Sequence, residues 1–266
     1  MARPLLLACL FLACQPLVAA ERVVSLAPSM SEIVVELGAQ DRLVGLLEGG
    51  ERPAALAEVA SVGRFGTLEL ETLLSLKPDL LLLTPGSLPD AQRRQLDDMG
   101  IPLYFGDPRD LEQLAELFAE LGERMGRAER GSELRDGFRQ GMAGLRARYH
   151  REPALPVFYQ IWHQPLYTVG AGQIIGDALS VCGARNVFDD LRMPAPQIGV
   201  EAVLARSPRV ILGGSGAELE HWRAWPQLAA VRLDQLWPVP DKGIERPSFQ
   251  MLEATGKLCE LLARAR

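Results

Sequence analysis

A charged, amphipathic helical segment divides this chain of 266 residues into two halves that each alternate short apolar strands with helices. The segment runs from Leu111 to Tyr149, is rich in Glu, Arg, Ala and Leu, and carries one apolar stripe along residues 134–149. Pro153 and Pro156 follow it and mark its end. Because alternating strands and helices are typical of parallel α/β units, the sequence predicts an α/β fold. We expect two lobes with mainly parallel sheets, joined by one long spanning helix.

Short apolar runs predict the strands of each half. In the first half they lie at residues 22–26, 43–47, 80–83 and 103–105, and in the second at 157–162, 210–212 and 235–239, before a closing helix at about 248–265. Ser29 and Glu32 fit a capping box at the start of the first helix. The predicted domains are a signal peptide (1–20), an N-terminal lobe (21–126), a linking helix (127–152) and a C-terminal lobe (153–266).

The first 20 residues are typical of a secretory signal peptide. Arg3 precedes a short apolar stretch, and small residues lead up to Ala20, which we expect to be the last residue removed. The stretch is well short of the roughly 20 apolar residues that span a bilayer. Cys14 lies in a sequence close to a lipoprotein signal, so a lipid anchor there is an alternative. We expect an exported protein.

Charge and cysteine content agree with export and restrict the partners. The formal net charge is −6 and no basic stripe is present, so nucleic acid is not an expected partner. Once a signal peptide is removed, Cys182 and Cys259 are the remaining cysteines, and an oxidising compartment favours a disulfide between them. Two separate buried thiols are the alternative.

The two halves repeat one pattern at the same spacing. Glu71 is followed by a helical stretch, Pro78 and an apolar strand, and Glu201 is followed in the same way by Pro208 and an apolar strand. Equivalent segments on either side of a long helix suggest paired lobes, and a cleft between lobes is where a ligand binds. The alternative for the two glutamates is solvation near helix N-termini, which the helix dipole favours.

On these segments the chain resembles the periplasmic binding proteins for cobalamin, siderophores and haem, in which a single long helix joins two lobes. The likeness covers the mature chain and is strongest at residues 62–83, 170–188 and 196–208. Within the family the order and spacing of residues 179–208 are most similar to the cobalamin-binding branch.

The resemblance implies a periplasmic location, capture of a corrinoid or similar large chelate, and delivery to an inner-membrane ABC permease. It implies that Glu71 and Glu201 dock on arginines of the two permease subunits, and that Cys182 and Cys259 form a disulfide. It also implies modest lobe closure on binding, because the linking helix is stiff.

Aromatic residues that we expect in loops at the strand ends facing the cleft are the candidate ligand contacts. Phe65, Trp162 and Tyr167 offer broad apolar faces to a planar macrocycle, whereas ordinary packing within a lobe is the alternative for each ring. Arg246 follows the last strand and either donates hydrogen bonds to the ligand or forms a salt bridge that holds Glu245.

The chain departs from the cobalamin-binding pattern in its cleft. Gly49, Thr84 and Ala195 stand where that branch has aromatic residues, and the loop at residues 241–246 is one residue longer. A siderophore or haem is therefore an alternative ligand.

Enzyme and metal signatures are weak in this sequence. The glycines from Gly170 to Gly176 are spaced one residue too long for a dinucleotide fingerprint, and a turn before a helix explains them. His163 lies far in sequence from the other histidines, so neither a protein-bound metal nor a cofactor is expected. We expect a binding protein without catalysis, and keep an exported α/β enzyme as the alternative of another class.

Overall fold

A computed structural model of the chain describes residues 19–49 and 52–266. Most of the predicted signal peptide, up to residue 18, and the alternative lipid site at Cys14 lie outside the described residues. Within the described part, no helix combines the length and apolar character needed to cross a membrane.

The N-terminal lobe is built on a six-stranded sheet in the order β4-β3-β2-β1-β5-β6. Neighbouring strands are parallel except β3 and β4, which form an antiparallel hairpin. All four residues of the apolar strand β5 are buried, as expected for a central parallel strand covered on both faces. The strands are β1 (Val23–Ser25), β2 (Leu43–Glu48), β3 (Ala60–Arg64), β4 (Thr67–Leu68), β5 (Leu80–Leu83) and β6 (Leu103–Phe105), and the helices are α1 (Pro28–Glu36), α2 (Leu70–Ser75), α3 (Asp90–Asp98) and α4 (Leu111–Arg124).

A 22-residue helix, α5 (Ala128–Tyr149), joins the lobes and spans about 33 Å. The predicted helical segment from Leu111 to Tyr149 is thus two helices, α4 and α5, separated at Gly126, whose φ of 66° is left-handed. The two helices cross closely, since a Cβ on Gly122 would lie 2.8 Å from the Cα of Gly131.

The C-terminal lobe carries a second sheet in the order β11-β10-β7-β8, with β9 also paired to β7. The pairs are parallel except β7 with β8. The strands are β7 (Leu155–His163), β8 (Leu166–Thr168), β9 (Ala184–Asn186), β10 (Val210–Gly213) and β11 (Leu236–Pro238), and the helices are α6 (Ile174–Val181), α7 (Val200–Arg206), α8 (Gly216–Leu219), α9 (Ala229–Arg232) and α10 (Met251–Leu262).

One apolar cluster continues from the first lobe into the second. At its centre Phe118 of α4, Phe138 of α5 and Phe249 before α10 pack against one another, with ring centroids 5.4 to 6.0 Å apart. Aromatic rings at such spacings pack favourably beyond their buried area. The predicted fold class, two α/β lobes joined by a long helix, is confirmed.

Candidate ligand-binding cleft

The carboxyl ends of the parallel strands define one edge of each lobe. In the N-terminal lobe this edge includes the end of β1, where α1 begins, and in the C-terminal lobe it includes the end of β11. The chain beyond β11 reaches α1 through a salt bridge between Arg246 and Glu32, so the two edges meet. Ligands of open α/β sheets bind outside the carboxyl strand ends, and the junction of the edges is therefore the candidate cleft.

Two of the predicted ring contacts are exposed at these edges. Phe65 lies in the turn between β3 and β4 with 77 % of its surface accessible, and Trp162 lies near the end of β7 with 57 % accessible. The Trp162 indole Nε1 donates to the carbonyl of Gln164 at 2.8 Å, which fixes the ring's orientation. Large apolar side chains left this exposed mark surfaces that bind a partner or ligand when they cluster.

Tyr167 lies directly opposite Trp162 in the antiparallel pair of β7 and β8. Cross-strand partners project to the same face, so the two rings share one side of this ribbon. The Tyr167 hydroxyl lies 3.5 Å from Gln197 Oε1. The structure thus brings Trp162 and Tyr167 together, while Phe65 belongs to the opposite lobe.

The exposed apolar side chains that sequence reasoning missed include Phe105 and Met193. Phe105 is the last residue of β6, so the rule that selected strand ends could have found it. Met193 lies in a loop that packs on Gly170. A Cβ added to Gly170 would lie 1.8 Å from the Met193 carbonyl oxygen. Gly170 also donates its N–H to the Pro194 carbonyl at 3.0 Å. This close approach explains that glycine, and the amino-acid pattern alone does not reveal it.

Gly49, Thr84 and Ala195 stand where the cobalamin-binding pattern has aromatic residues. They lie in different surroundings. Gly49 follows β2, and a Cβ there would lie 3.2 Å from Pro28 Cγ, so the adjacent wall is closely packed. Thr84 follows β5 and is half-buried, whereas Ala195 is exposed. The cleft therefore has less aromatic surface at these points.

Arg246 pairs with a residue of the other lobe. Its Nη1 donates to Glu32 Oε1 at 2.9 Å. The expected alternative of a salt bridge to Glu245 is wrong, because Glu245 Oε1 instead accepts the hydroxyl of Tyr159 at 2.8 Å. Burial, and then the charge of Glu245, raise the pKa of Tyr159 well above its usual value, so the phenol remains a donor.

Glu32 has a different role from the one predicted for it. The helix α1 begins at Pro28 with Ala27 as its N-cap and no side-chain cap, so the capping box of Ser29 and Glu32 is wrong. Because the helix already begins at Pro28, Ser29 is its second residue and cannot serve as the N-cap that a capping box requires. Glu32 is 8 % exposed, and its second oxygen accepts the side-chain amide of Gln250.

Glu36, one turn further along α1, also contacts the C-terminal lobe. Both of its oxygens accept the N–H of Phe249, at 3.0 and 2.9 Å. Burial raises the pKa of Glu36 to about 7, and the nearby charge of Glu32 adds to the rise. The backbone N–H groups of Phe249 and Gln250 and the hydroxyl of Ser248 oppose it.

A cavity of about 330 Å³ opens beside these carboxylates. Residues from both lobes line it, including Glu32, Arg52, Arg246 and Gln250. It combines guanidinium and carboxylate groups with an apolar wall at Val35 and Pro53, a combination that suits an amphipathic ligand substituent.

Glu71 and Glu201 lie at equivalent places in the two lobes. Each is exposed in the first turn of a short helix, α2 or α7, whose N-terminus lies at the carboxyl edge of its sheet. The repeat extends to the backbone, since Lys77 and Ser207, each just before a proline, have left-handed φ values of 47° and 42°. Among the described residues, no basic side chain forms an ion pair with either glutamate.

Cys182 and Cys259 form a disulfide that joins the end of α6 to α10. The alternative of two separate thiols is thereby wrong. Among the described residues, no group of three or more His, Cys, Asp or Glu side chains is arranged to hold a metal ion.

The sequence profile described as "Periplasmic binding protein" matches residues 23–239. The chain belongs to this periplasmic binding protein family of two-lobed solute-binding proteins. It is 32 % identical over 265 residues to the vitamin B12-binding protein of Vibrio cholerae serotype O1, covering 97 % of this chain and 96 % of the relative. It is 33 % identical over 253 residues to the vitamin B12-binding protein of Yersinia pestis, covering 93 % and 88 %.

Solved structures agree with the fold. The periplasmic vitamin B12-binding protein BtuF of Vibrio cholerae superposes with a TM-score of 0.82 at 32 % identity, over 92 % of this chain and 97 % of that one. The periplasmic heme-binding protein HutB of Vibrio cholerae gives a TM-score of 0.78 at 20 % identity, over 91 % and 98 %, which shows a common fold alone.

Proposed function

We propose that this protein captures cobalamin or a related corrinoid in its interlobe cleft and delivers it to an ABC importer. The observation that carries the proposal is the full-length identity of 32 % to a vitamin B12-binding protein. Two exposed rings, Phe65 in one lobe and Trp162 in the other, support it because a planar macrocycle needs apolar faces on both sides.

The proposed ligand contacts are Phe65, Trp162, Tyr167 and Arg246. Trp162 and Tyr167 lie side by side on one ribbon and offer stacking surface, whereas Arg246 offers hydrogen-bond donors beside the cavity at the lobe junction. Apolar area supplies affinity and a few placed polar groups supply orientation, which is the usual division in ligand sites.

The proposed transporter contacts are Glu71 and Glu201. Exposed carboxylates at matching places on two rigid lobes can pair with arginines at two separate points, and two points fix an orientation on a transporter. Their surroundings suit this role, since each carboxylate projects from a short surface helix.

We also propose that residues 1–20 direct export and are removed, and that the mature chain begins at Glu21. The proposed domains of the mature chain are those predicted from the sequence: an N-terminal lobe at 21–126, a linking helix at 127–152 and a C-terminal lobe at 153–266. A lipid at Cys14 is the alternative fate of the N-terminus.

A siderophore or haem is the second candidate ligand. The absence of rings at Gly49, Thr84 and Ala195 favours it, because the cleft then stacks less against a corrin than the cobalamin-binding pattern does. We propose no catalytic role, since the family is one of solute-binding proteins.

Calorimetric titration of the mature protein with cyanocobalamin, haem and a ferric siderophore under one set of conditions tests the ligand. We expect saturable heat at one equivalent of cyanocobalamin and much weaker binding of the other two. Heat with haem or the siderophore and none with cyanocobalamin would replace the corrinoid by that ligand. Turnover of a bound molecule would favour an exported enzyme instead.

A further inference from the structure

Glu32 and Arg246 connect the lobes at the edge of the cleft. Glu32 lies in α1, which starts where β1 ends, and Arg246 follows the short 3₁₀ turn Lys242–Glu245 beyond β11. They are 214 positions apart in sequence, yet Arg246 Nη1 lies 2.9 Å from Glu32 Oε1. The contact ties a proposed ligand donor of one lobe to a carboxylate of the other.

The Glu32 carboxylate is a fixed anchor. Its side chain is 10 % exposed, one oxygen accepts Arg246 and the other accepts the amide of Gln250. Gln250 Nε2 is itself 3.0 Å from Ser248 Oγ. A nearly buried carboxylate with charge-assisted hydrogen bonds on both oxygens has little rotational freedom.

Arg246 is held at one end and accessible at the other. Its side chain is 36 % exposed and borders the cavity of about 330 Å³. Among the described residues, Glu32 is the one that accepts a hydrogen bond from this side chain. Because a guanidinium is a rigid plane with donors on all three nitrogens, anchoring one Nη atom restricts the directions of the remaining N–H groups.

We propose that Glu32 is a positioning residue for ligand recognition, which holds Arg246 so that its free N–H groups meet an amide or carboxylate oxygen of the ligand. The inference rests on the proposed function, because cobalamin carries peripheral amide groups that accept such hydrogen bonds. Recognition by one lobe then depends on a carboxylate of the other.

Titration with cyanocobalamin of the wild type, Glu32→Gln, Arg246→Gln and the double variant tests the coupling. Glu32→Gln keeps the side-chain shape but gives Arg246 a neutral partner and sets an N–H group against the donors of Arg246 or Gln250. We expect about tenfold weaker affinity in each single variant and no further loss in the double variant. Unchanged or tighter binding by Glu32→Gln would overturn the proposal. A double variant whose loss of affinity is the product of the two single losses would also overturn it.

Asp177→Asn is the matched control, since Asp177 also joins the lobes, by accepting the N–H of Leu111 at 3.0 Å, but is not among the residues that line the cavity beside Arg246. We expect its affinity to equal that of the wild type at one pH. An equal loss in both variants would show that lobe orientation, and not Arg246, is what Glu32 supports. Glu32→Asp, which keeps the charge but withdraws the carboxylate by one methylene, should weaken binding in the same direction as Glu32→Gln.

A ligand-free measurement separates this inference from the proposed function. The Nη–H resonances of Arg246 in the free protein should include a resolved signal from the Nη1 hydrogen bound to Glu32 in the wild type, and this resonance should broaden in Glu32→Gln. An unchanged resonance would overturn the positioning role. Absence of cyanocobalamin binding in the wild type would defeat the proposed function, while the resonance still decides whether Glu32 holds Arg246.

Discussion

The Glu36 carboxylate lies against the backbone N–H of Phe249, which donates to its two oxygens at 3.0 and 2.9 Å. Glu36 ends α1 in the first lobe, and Phe249 lies just before α10 in the second. A carboxylate of one lobe thus faces the N-terminal end of a helix in the other, where the helix dipole favours negative charge.

A second contact of the same kind runs in the opposite direction. Asp177 of α6, in the C-terminal lobe, accepts the N–H of Leu111 at the start of α4 through Oδ2 at 3.0 Å. Each lobe therefore supplies a carboxylate to the first residues of a helix in its neighbour. With the aromatic packing of Phe118, Phe138 and Phe249 between them, these contacts favour the modest lobe closure that the stiff linking helix predicts.

The raised pKa of Glu36 makes stability depend on pH. Its pKa of about 7 in the folded protein lies above the ordinary value of 4.5, so the folded state prefers the neutral carboxyl. The stability that the neutral Glu36 carboxyl contributes is fully present below pH 4.5 and is lost as the pH rises through 7. Glu36→Gln should remove this dependence and make the protein more stable than the wild type at pH 8, by at most about 3 kcal/mol.

Urea unfolding of both proteins at pH 5.5 and pH 8 measures this difference. Glu260→Gln, which removes an exposed glutamate of α10, is the control and should follow the wild type at both pH values. A Glu36→Gln protein with the same pH dependence as the wild type would show that Glu36 does not titrate differently on folding.

The disulfide should contribute strongly to the stability of the C-terminal lobe. It joins residues 77 positions apart, and the loss of chain entropy on closing such a loop corresponds to about 4.5 kcal/mol. Replacing Cys182 and Cys259 with Ser should lower the urea midpoint accordingly, because both sulfurs are buried and the serine hydroxyls lose hydration. Equal midpoints for the oxidised wild type and this variant would contradict the expectation.

Removal of either exposed ring should weaken corrinoid binding. Phe65→Ala and Trp162→Ala each delete stacking surface from one side of the cleft, and we expect about tenfold weaker affinity for each by calorimetry. Met99→Ala removes a comparably exposed apolar side chain that precedes β6, at the opposite edge of the sheet, and should leave affinity unchanged. Equal effects of all three changes would argue against a ring-lined cleft.

The two glutamates proposed to dock on the transporter should act on transport without acting on capture. Glu71→Ala with Glu201→Ala should abolish the stimulation of ATP hydrolysis by the cognate importer in liposomes, while cyanocobalamin affinity stays at the wild-type value. The pair Glu58→Ala with Glu260→Ala removes the same charge from other exposed positions and should leave stimulation intact. If the variant lacking both Glu71 and Glu201 stimulates ATP hydrolysis normally, the two glutamates are solvated surface residues without a docking role.

The strands that sequence reasoning located are those with a strong local signal. The apolar runs at β2, β5 and β10 are buried on both faces, so composition alone identifies them. The hairpin of β3 and β4 and the short strands β8 and β9 were missed, since they mix polar with apolar residues over few positions. The break between α4 and α5 depends on one left-handed residue, Gly126, inside a continuous helical composition.

The site was harder to predict than the fold because its key contacts join distant segments. Phe65 and Trp162 were predicted as ligand contacts, and the structure leaves both rings exposed without showing what they bind. Glu32 was assigned to a local cap, since its partners Arg246 and Gln250 are more than 200 residues away and only the folded chain brings them together. The position of the exposed Met193 likewise depends on how its loop packs on Gly170.

A crystal structure of the mature protein with cyanocobalamin tests the central claim most directly. We predict one molecule between the lobes, with its corrin ring in contact with both Phe65 and Trp162 and an amide oxygen within hydrogen-bond distance of Arg246. Cyanocobalamin bound outside the cleft, or a cleft that stays empty at saturating concentration, would contradict the account.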